Sequence, residues 1–309
     1  KTFKDLRMLD FCTPIIFGSS KITSIHRKAI QIQDFNFNII KTVKDTNPKR
    51  VNLINIWDKE TEVNFGKPTD ISGELSFHSL KKASESLKNK EIDVLVTAPI
   101  NKASIQKQVK SFIGHTEFLQ GNFNGDSLMI MVSEKMKIAF VTGHLPLKEV
   151  KQSITIKNII AKTKQLNTAL IQDFGIRMPK IAILGLNPHA GENGLFGDEE
   201  NKIILPALDL ARKKNLLCEG PFPPDTIFLE HQKGIFDAVV ALYHDQALIP
   251  LKLYGFDRAV NITLGLPIIR TSPDHGTAFQ LAPKMEANPS SMIESIKMAL
   301  KMTSSSSFV

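Results

Sequence analysis

Residues 236–278 read FDAVVALYHDQALIPLKLYGFDRAVNITLGLPIIRTSPDHGTA. An apolar run, Ala238–Tyr243, stops on His244-Asp245. A second run, Ala259–Leu264, carries Asn261 and is followed by Arg270 and the Asp274-His275 pair. Short apolar runs that end in ionisable groups read as buried strands delivering side chains to a cleft. Ordinary cores seldom place so many titratable groups at strand ends. Two such strands predict an α/β fold with its functional groups where the strands stop.

The same pattern recurs upstream. Ile92–Val96 runs straight into Thr97-Ala98-Pro99-Ile100-Asn101-Lys102. Leu128–Val132 and Lys137–Val141 read as strands, the second ending Thr142-Gly143-His144. Lys180–Leu186 ends Asn187-Pro188-His189. Arg50–Trp57 reads as a strand through Val51, Leu53 and Ile54, and a short run, Thr13–Phe17, ends at Gly18. Helices are predicted over Gly73–Lys90, where Leu80, Ala83 and Leu87 form one stripe, over Ser153–Phe174, and over Glu199–Asn215, where Pro206 predicts a kink. The opening residues read as helical. Residues 58–73 and the polar stretch Gly114–Glu117 read as loops. Asn288-Pro289 predicts an N-cap with proline at the first helical position. That helix is expected to reach about Met302, with residues 303–307 as a frayed polar tail. Strands alternating with helices predict α/β architecture with a largely parallel sheet.

The chain has 309 residues, enough for a large core and two domains. Hydrophobic residues make up 42% and charged residues 23%, the balance of a soluble globular protein. No apolar run is long enough for a bilayer, and no signal-peptide pattern is visible. Cys12 and Cys218 lie far apart without a CxxC, so a reducing, cytoplasmic compartment is expected. The formal net charge is +8. The lysines are scattered and there is no basic arm or interleaved aromatic stripe, so solvated lysine faces are favoured over nucleic-acid binding. A basic cleft attracting an anionic metabolite is compatible with the charge.

Three histidines share a context: His144 follows IAFVTG, His189 follows IAILGLNP and His244 follows DAVVALY. In an open α/β sheet, ligands bind at strand ends. Three converging imidazoles could hold Zn²⁺ or a similar divalent ion with a position left for substrate. A single such histidine is more often a hydrogen-bonded core residue, and the long separations match no short zinc pattern. His26, His78 and His231 read as surface residues. His115 and His275 sit in polar stretches beside small residues, where substrate contact competes with simple loop hydrogen bonding. Lys252, Arg270 and Asn261 are candidates for a phosphate or carboxylate, and Lys102 for an anion or a proton. No GxGxxG, GxxxxGK[ST] or GxSxG is present.

The motifs VTAPINK, GHTEFL, VTGHLPL, LGLNPHAGENGLFGDEE, GPFPPDT, ALYHDQALIPLK and GFDRAVNITLGLPIIRTSPDHGTA together resemble the 4-hydroxythreonine-4-phosphate dehydrogenase family of pyridoxal 5′-phosphate biosynthesis. The resemblance is strong from Ile92 to Met302 and looser before it. It implies a two-domain α/β/α subunit similar to isocitrate and isopropylmalate dehydrogenases. Residues 1–117 with 266–309 would form the first domain, and 118–265 the second, with most metal ligands. It further implies a homodimer with active sites at the subunit interface, and NAD or NADP bound without a Rossmann fingerprint. By the resemblance His144, His189 and His244 are ligands of a divalent metal (Zn, Mg or Co), and His115, Thr116, Lys252, Asn261 and Arg270 bind substrate. Family members usually begin with a strand and a GDxxGIGPE-type segment. This chain starts at Lys1-Thr2-Phe3, and a missing N-terminal segment is expected rather than a natural loss.

The activity implied is oxidation of a phosphorylated β-hydroxy amino acid, followed by decarboxylation to 3-amino-2-oxopropyl phosphate. Asp245, His275 and Lys102 are the candidates for proton transfer. A dehydrogenase of four-carbon sugar-acid phosphates, threonate or erythronate 4-phosphate, fits the same motifs. A metal-dependent hydrolase is the alternative from another class, since an open three-histidine site could activate water.

Overall fold

The computed structural model describes residues 1–305. The chain divides into two compact units, residues 1–124 with 268–300, and residues 125–267 with 301–305.

The first unit begins with a 3-10 turn, Leu6–Asp10, where a helix is expected. It continues through β1 (Ile15–Gly18), α1 (Ser20–Ala29), β2 (Asn38–Ile40), β3 (Asn52–Asn55), α2 (Asp70–Lys88), β4 (Val94–Val96), α3 (Lys102–Gln106) and α4 (His115–Asn122). Strands β1, β3 and β2 form a parallel sheet in that order. Its centre is Asn52, fully buried, whose amide nitrogen donates to the carbonyls of Asn47 and Arg50 at 3.0 Å each. The Asn38 side chain donates to its oxygen at 2.8 Å. A polar residue can occupy a core strand only when its hydrogen bonds are met in this way. Helix α1 and strand β2 are absent from the sequence reading, although Ile22, Ile25 and Ala29 recur at helical spacing in α1. Helix α2 starts before the expected Gly73, because Thr69 and Ser72 exchange hydrogen bonds in a capping box.

The second unit contains β5 (Leu128–Val132), β6 (Lys137–Phe140), α5 (Leu147–Ser153), α6 (Ile156–Gln172), β7 (Ile181–Leu184), α7 (Leu205–Arg212), β8 (Cys218–Phe222), α8 (Ile227–Gln232), β9 (Ala238–Ala241), α9 (His244–Gly255) and β10 (Val260–Leu264). Its strand order is β10-β5-β6-β9-β7-β8. Strands β6, β9, β7 and β8 run parallel, while β5 is antiparallel to both its neighbours. One face of the sheet offers Met131, Ile138, Phe140, Ala182, Leu184, Val239 and Ala241. Onto it pack Ile227 and Phe228 of α8 and Ala247, Leu248 and Leu251 of α9. Alternate residues along each strand supply that face, as the strand period requires. Helix α6 packs on β5 and β6 and against α7. Its buried Ile159, Thr163, Leu166 and Leu170 recur at helical spacing. Thr155 caps it by accepting from the Asn158 N–H at 3.1 Å, which is why it begins at Ile156 and not at Ser153.

Two other stretches depart from expectation here. The helix expected over Glu199–Asn215 is a π-helical turn, Glu200–Ile204, that runs directly into α7, with Pro206 just past the point where one passes into the other. His231 is buried, not surface: its Nδ1 meets the Phe236 carbonyl at 2.8 Å and its Nε2 accepts from the Lys137 N–H at 3.2 Å.

The chain returns to the first unit as β11 (Ile269–Pro273), parallel to β4, and α10 (Ser290–Ser305), of which residues 290–300 belong to this unit. Asn288 caps α10 by accepting from the Ser290 N–H at 3.0 Å. The expected fraying after Met302 does not hold for Thr303–Ser305, which are helical; Ser306 and Ser307 lie outside the described residues. Among the described residues no helix is long and apolar enough to cross a membrane.

Candidate active site

Each unit gathers its own group of candidate side chains.

In the first unit the group forms where β4 and β11 run side by side. Arg270 lies on β11 opposite Leu95, and Thr97 follows directly on β4, its N–H donating to the Thr271 carbonyl at 3.0 Å. That register brings the Thr97 hydroxyl under the guanidinium. Arg270 Nη2 donates to Thr97 Oγ1 at 2.7 Å and Nε at 3.2 Å. Arg270 is only 3% exposed. Burial lowers its pKa to about 10, with the Glu117 carboxylate acting in the opposite direction.

His115 opens α4 beside it, where the polar stretch Gly114–Glu117 predicts a loop. It is half-buried, and burial, then Arg270, then Lys102 hold its imidazole down to about 3. The ring is therefore neutral at pH 7, a hydrogen-bonding group and not a third cation. Lys102 is the first residue of α3, whose N-cap Asn101 accepts from the Ser104 N–H at 2.8 Å. Gly114 lies between Lys102 and Glu117: a Cβ there would stand 2.8 Å from the Glu117 carboxylate and 3.3 Å from Lys102 Nζ. Thr116 is the second residue of α4 and is half-buried. His275 lies in a loop just past β11, exposed, with Nδ1 facing the Gly276 carbonyl at 2.9 Å.

In the second unit, parallel neighbours β6 and β9 continue in step beyond their ends. The Thr142 N–H donates to the Leu242 carbonyl at 3.1 Å, and its hydroxyl to the same oxygen at 2.7 Å. This carries His144 and His244 to one place, with ring centroids 5.1 Å apart. His244 is the first residue of α9, a helix the sequence reading did not foresee. Its ring stacks on Phe140 at 6.3 Å, and its Nδ1 meets Asp245 Oδ1 at 2.6 Å. A carboxylate on Nδ1 fixes ring orientation and leaves Nε2 as the ligating nitrogen, the usual support of a metal-bound imidazole. The donor chemistry of the pair therefore suits a divalent ion.

His189 does not join them. It is exposed, on a turn after β7, with its ring 6.1 Å from that of Phe196. Among the described residues no set of three His, Cys, Asp or Glu side chains is placed to hold an ion. Asn261 is half-buried on β10, between the fully buried Val260 and Ile262. Lys252 is exposed on α9, its ammonium 5.9 Å from the centre of the Phe256 ring.

Four side chains escaped the sequence reading. Thr97 braces Arg270 and Glu117 faces it. Gln246, buried, accepts from the Leu242 N–H at 2.8 Å and donates to the Gly185 carbonyl at 2.7 Å, fixing the β9–α9 turn against the end of β7. Glu200 accepts hydrogen bonds from Leu186, Asn187 and the Asn187 side chain. The available signal was position: Thr97 directly follows a strand, and Glu199-Glu200 is a double acid opening an apolar helix.

A family model described as pyridoxal phosphate biosynthetic protein PdxA matches residues 10–299. The chain is 43% identical over 303 residues to a 4-hydroxythreonine-4-phosphate dehydrogenase of Bacteroides thetaiotaomicron, covering 97% of this chain and 83% of that one. It is 42% identical over 238 residues to a D-threonate 4-phosphate dehydrogenase of Salmonella typhimurium, covering 77% and 72%. The crystal structure of a 4-hydroxythreonine-4-phosphate dehydrogenase from Klebsiella pneumoniae superposes with a TM-score of 0.82 at 35% identity, covering 93% of this chain and 88% of that one.

Proposed function

Because this chain belongs to the pyridoxal phosphate biosynthetic protein PdxA family, we propose that it is a 4-hydroxythreonine-4-phosphate dehydrogenase. It oxidises 4-hydroxy-L-threonine 4-phosphate with NAD or NADP and releases CO₂, leaving 3-amino-2-oxopropyl phosphate. The observation that carries this reading from the geometry is Arg270. A guanidinium 3% exposed, braced by Thr97 and beside His115 and Lys102, is a ready partner for a phosphate or carboxylate.

The roles divide between residues. Arg270 supplies the forked charge-assisted donor. His115, neutral, and Thr116 add hydrogen bonds to substrate oxygens. Lys252 and Asn261 are further substrate contacts of the second unit. His144 and His244, with His189 as the third ligand, would hold a divalent ion (Zn, Mg or Co). When bound, the ion supplies Lewis acidity at the substrate hydroxyl, and the nicotinamide supplies the hydride acceptor. Asp245, paired to His244, is better placed to orient that ring than to carry a proton. Lys102 and His275 remain the proton-transfer candidates. Lys102, next to Arg270 and His115, is the one beside the anion-binding group.

A homodimer is part of the reading. Helix α9 exposes Ile249, Leu253 and Tyr254, with Phe256 just beyond it, an apolar face suited to a second copy. Both cysteines are unpaired, consistent with a cytoplasmic protein.

A second reading, oxidation of D-threonate 4-phosphate, is favoured by the Salmonella typhimurium relative. Turnover on the two substrates with each nicotinamide cofactor, with and without added divalent metal, separates them. Absence of reduced nicotinamide with either substrate would overturn the dehydrogenase assignment.

A further inference from the structure

A cavity of about 220 Å³ lies between α2 and α4 and shares no residue with the groups described above. Helix α2 lines it with Phe77, Lys81, Ser84 and Lys88, which recur at helical spacing and form one stripe. Helix α4 faces them with Phe118 and Asn122. The half-buried Phe77 and Phe118 rings meet edge to face, their centroids 5.5 Å apart, and make an aromatic wall. Asn122 Nδ2 is already given to the Phe118 carbonyl at 2.7 Å. Glu85 also reaches the cavity, but it is paired with Lys82 at 3.5 Å. Lys81 and Lys88 have no acidic partner among the described residues.

Ser84 gives the cavity a polar floor. It is 4% exposed. A serine inside a helix commonly donates to the carbonyl four residues back, as Ser76 of the same helix does to Ser72 at 2.6 Å. The Ser84 hydroxyl makes no hydrogen bond among the described residues. Unlike the Ser19 hydroxyl, it is not sealed from solvent. A buried hydroxyl without a partner carries a free-energy cost that a ligand oxygen would remove. Lys81 and Lys88 stand one helical turn to either side of it.

We propose that this cavity is a binding site for a small aromatic phosphate monoester. The phosphate sits on Ser84 between Lys81 and Lys88, and the ring packs on Phe77 and Phe118. Two ammonium groups and a hydroxyl donor suit a dianion. A ligand ring extends the edge-to-face packing of the two phenylalanines. Inorganic phosphate would leave the aromatic wall uncovered, and an uncharged ring would leave both lysines unused. The site does not depend on the dehydrogenase reading.

The test is calorimetric titration of phenyl phosphate into the protein without substrate, with inorganic phosphate and phenol as controls, alongside thermal melting. Phenyl phosphate should bind roughly 10-fold or more tighter than inorganic phosphate, because the ring leaves water. Phenol should bind more weakly still. Ser84→Ala should weaken phenyl phosphate by roughly 2–10-fold, the loss of one hydrogen bond. Its Tm should be no lower, since alanine is the better helix former. Lys81→Ala/Lys88→Ala, at two exposed positions, should weaken it by roughly 10–30-fold with Tm unchanged. Arg270→Lys should leave this binding step as it is. A step that Arg270→Lys removes, and that the Ser84 and lysine variants keep, belongs to the group around Arg270 and overturns the proposal. Equal affinity for phenyl phosphate and inorganic phosphate also overturns it. So does phenyl phosphate affinity unchanged in both Ser84→Ala and Lys81→Ala/Lys88→Ala.

Discussion

The His144 and His244 rings stand 5.1 Å apart because parallel strands β6 and β9 run in step past their last residues. Asp245 locks one of them, through Nδ1, at 2.6 Å. His244→Ala should abolish divalent-metal binding and turnover, and a chelator should do the same to the wild type. Asp245→Asn keeps the shape but weakens the orienting bond, so metal affinity should fall by roughly 10–100-fold. Calorimetric titration of the metal measures both. Equal affinity in Asp245→Asn and wild type would remove Asp245 from this role.

Arg270 and Thr97 form the second relationship. Arg270→Lys preserves the charge but loses the fork and the contacts to Thr97. A hydrogen bond to a charged group contributes about 1.5–3 kcal/mol, so kcat/KM should fall by roughly 10–100-fold, mostly through KM. Thr97→Val should produce a smaller loss in the same direction. Steady-state kinetics with phosphate as competitor would show it, and an unchanged KM in Arg270→Lys would contradict a substrate-binding role.

His115 makes stability depend on pH. Its folded pKa is lowered from 6.5 to about 3, by burial first and then by Arg270 and Lys102. The unfolded chain therefore binds a proton between those values and the folded chain does not. Stability from this group is present above pH 6.5 and is lost as pH falls towards 3, by at most about 1.4 kcal/mol per pH unit. His115→Gln removes the titration. The stability of the wild type relative to this variant should decline from pH 7 to pH 5 in denaturant melts. A constant difference would show that His115 titrates normally.

Gly73 tests the packing behind Lys102. Alanine at an interior helix position is worth about 1 kcal/mol over glycine. Here, though, a Cβ would stand 2.4 Å from the Ser104 backbone carbon of α3, closer than real Cβ contacts come. The clash outweighs the propensity gain, so Gly73→Ala should lower Tm and, by displacing α3, reduce turnover. A Tm raised above wild type would mean that α2 and α3 separate at no cost.

Much of the α/β pattern was legible in the chain. Ile181–Leu184 and Ala238–Ala241 are fully buried strands, and such runs announce themselves by composition alone. Helix ends were less legible, since Thr69 and Thr155 set them through capping bonds one turn away from the apolar stripe. Short strands such as the three-residue β2, and helix α9 beginning on His244, carried no period long enough to read.

The sequence by itself determined the family and the three strand-end histidines, because motif identity and apolar periodicity are local properties. Tertiary structure decided what those histidines do. The register of β6 against β9 joins His144 to His244, while the left-handed turn over Glu200 holds His189 apart from them. It also decided that Arg270 is buried on the Thr97 hydroxyl beside a neutral His115. These relationships depend on strand pairing and on charges desolvated by distant residues. Neither is encoded in the spacing along the chain.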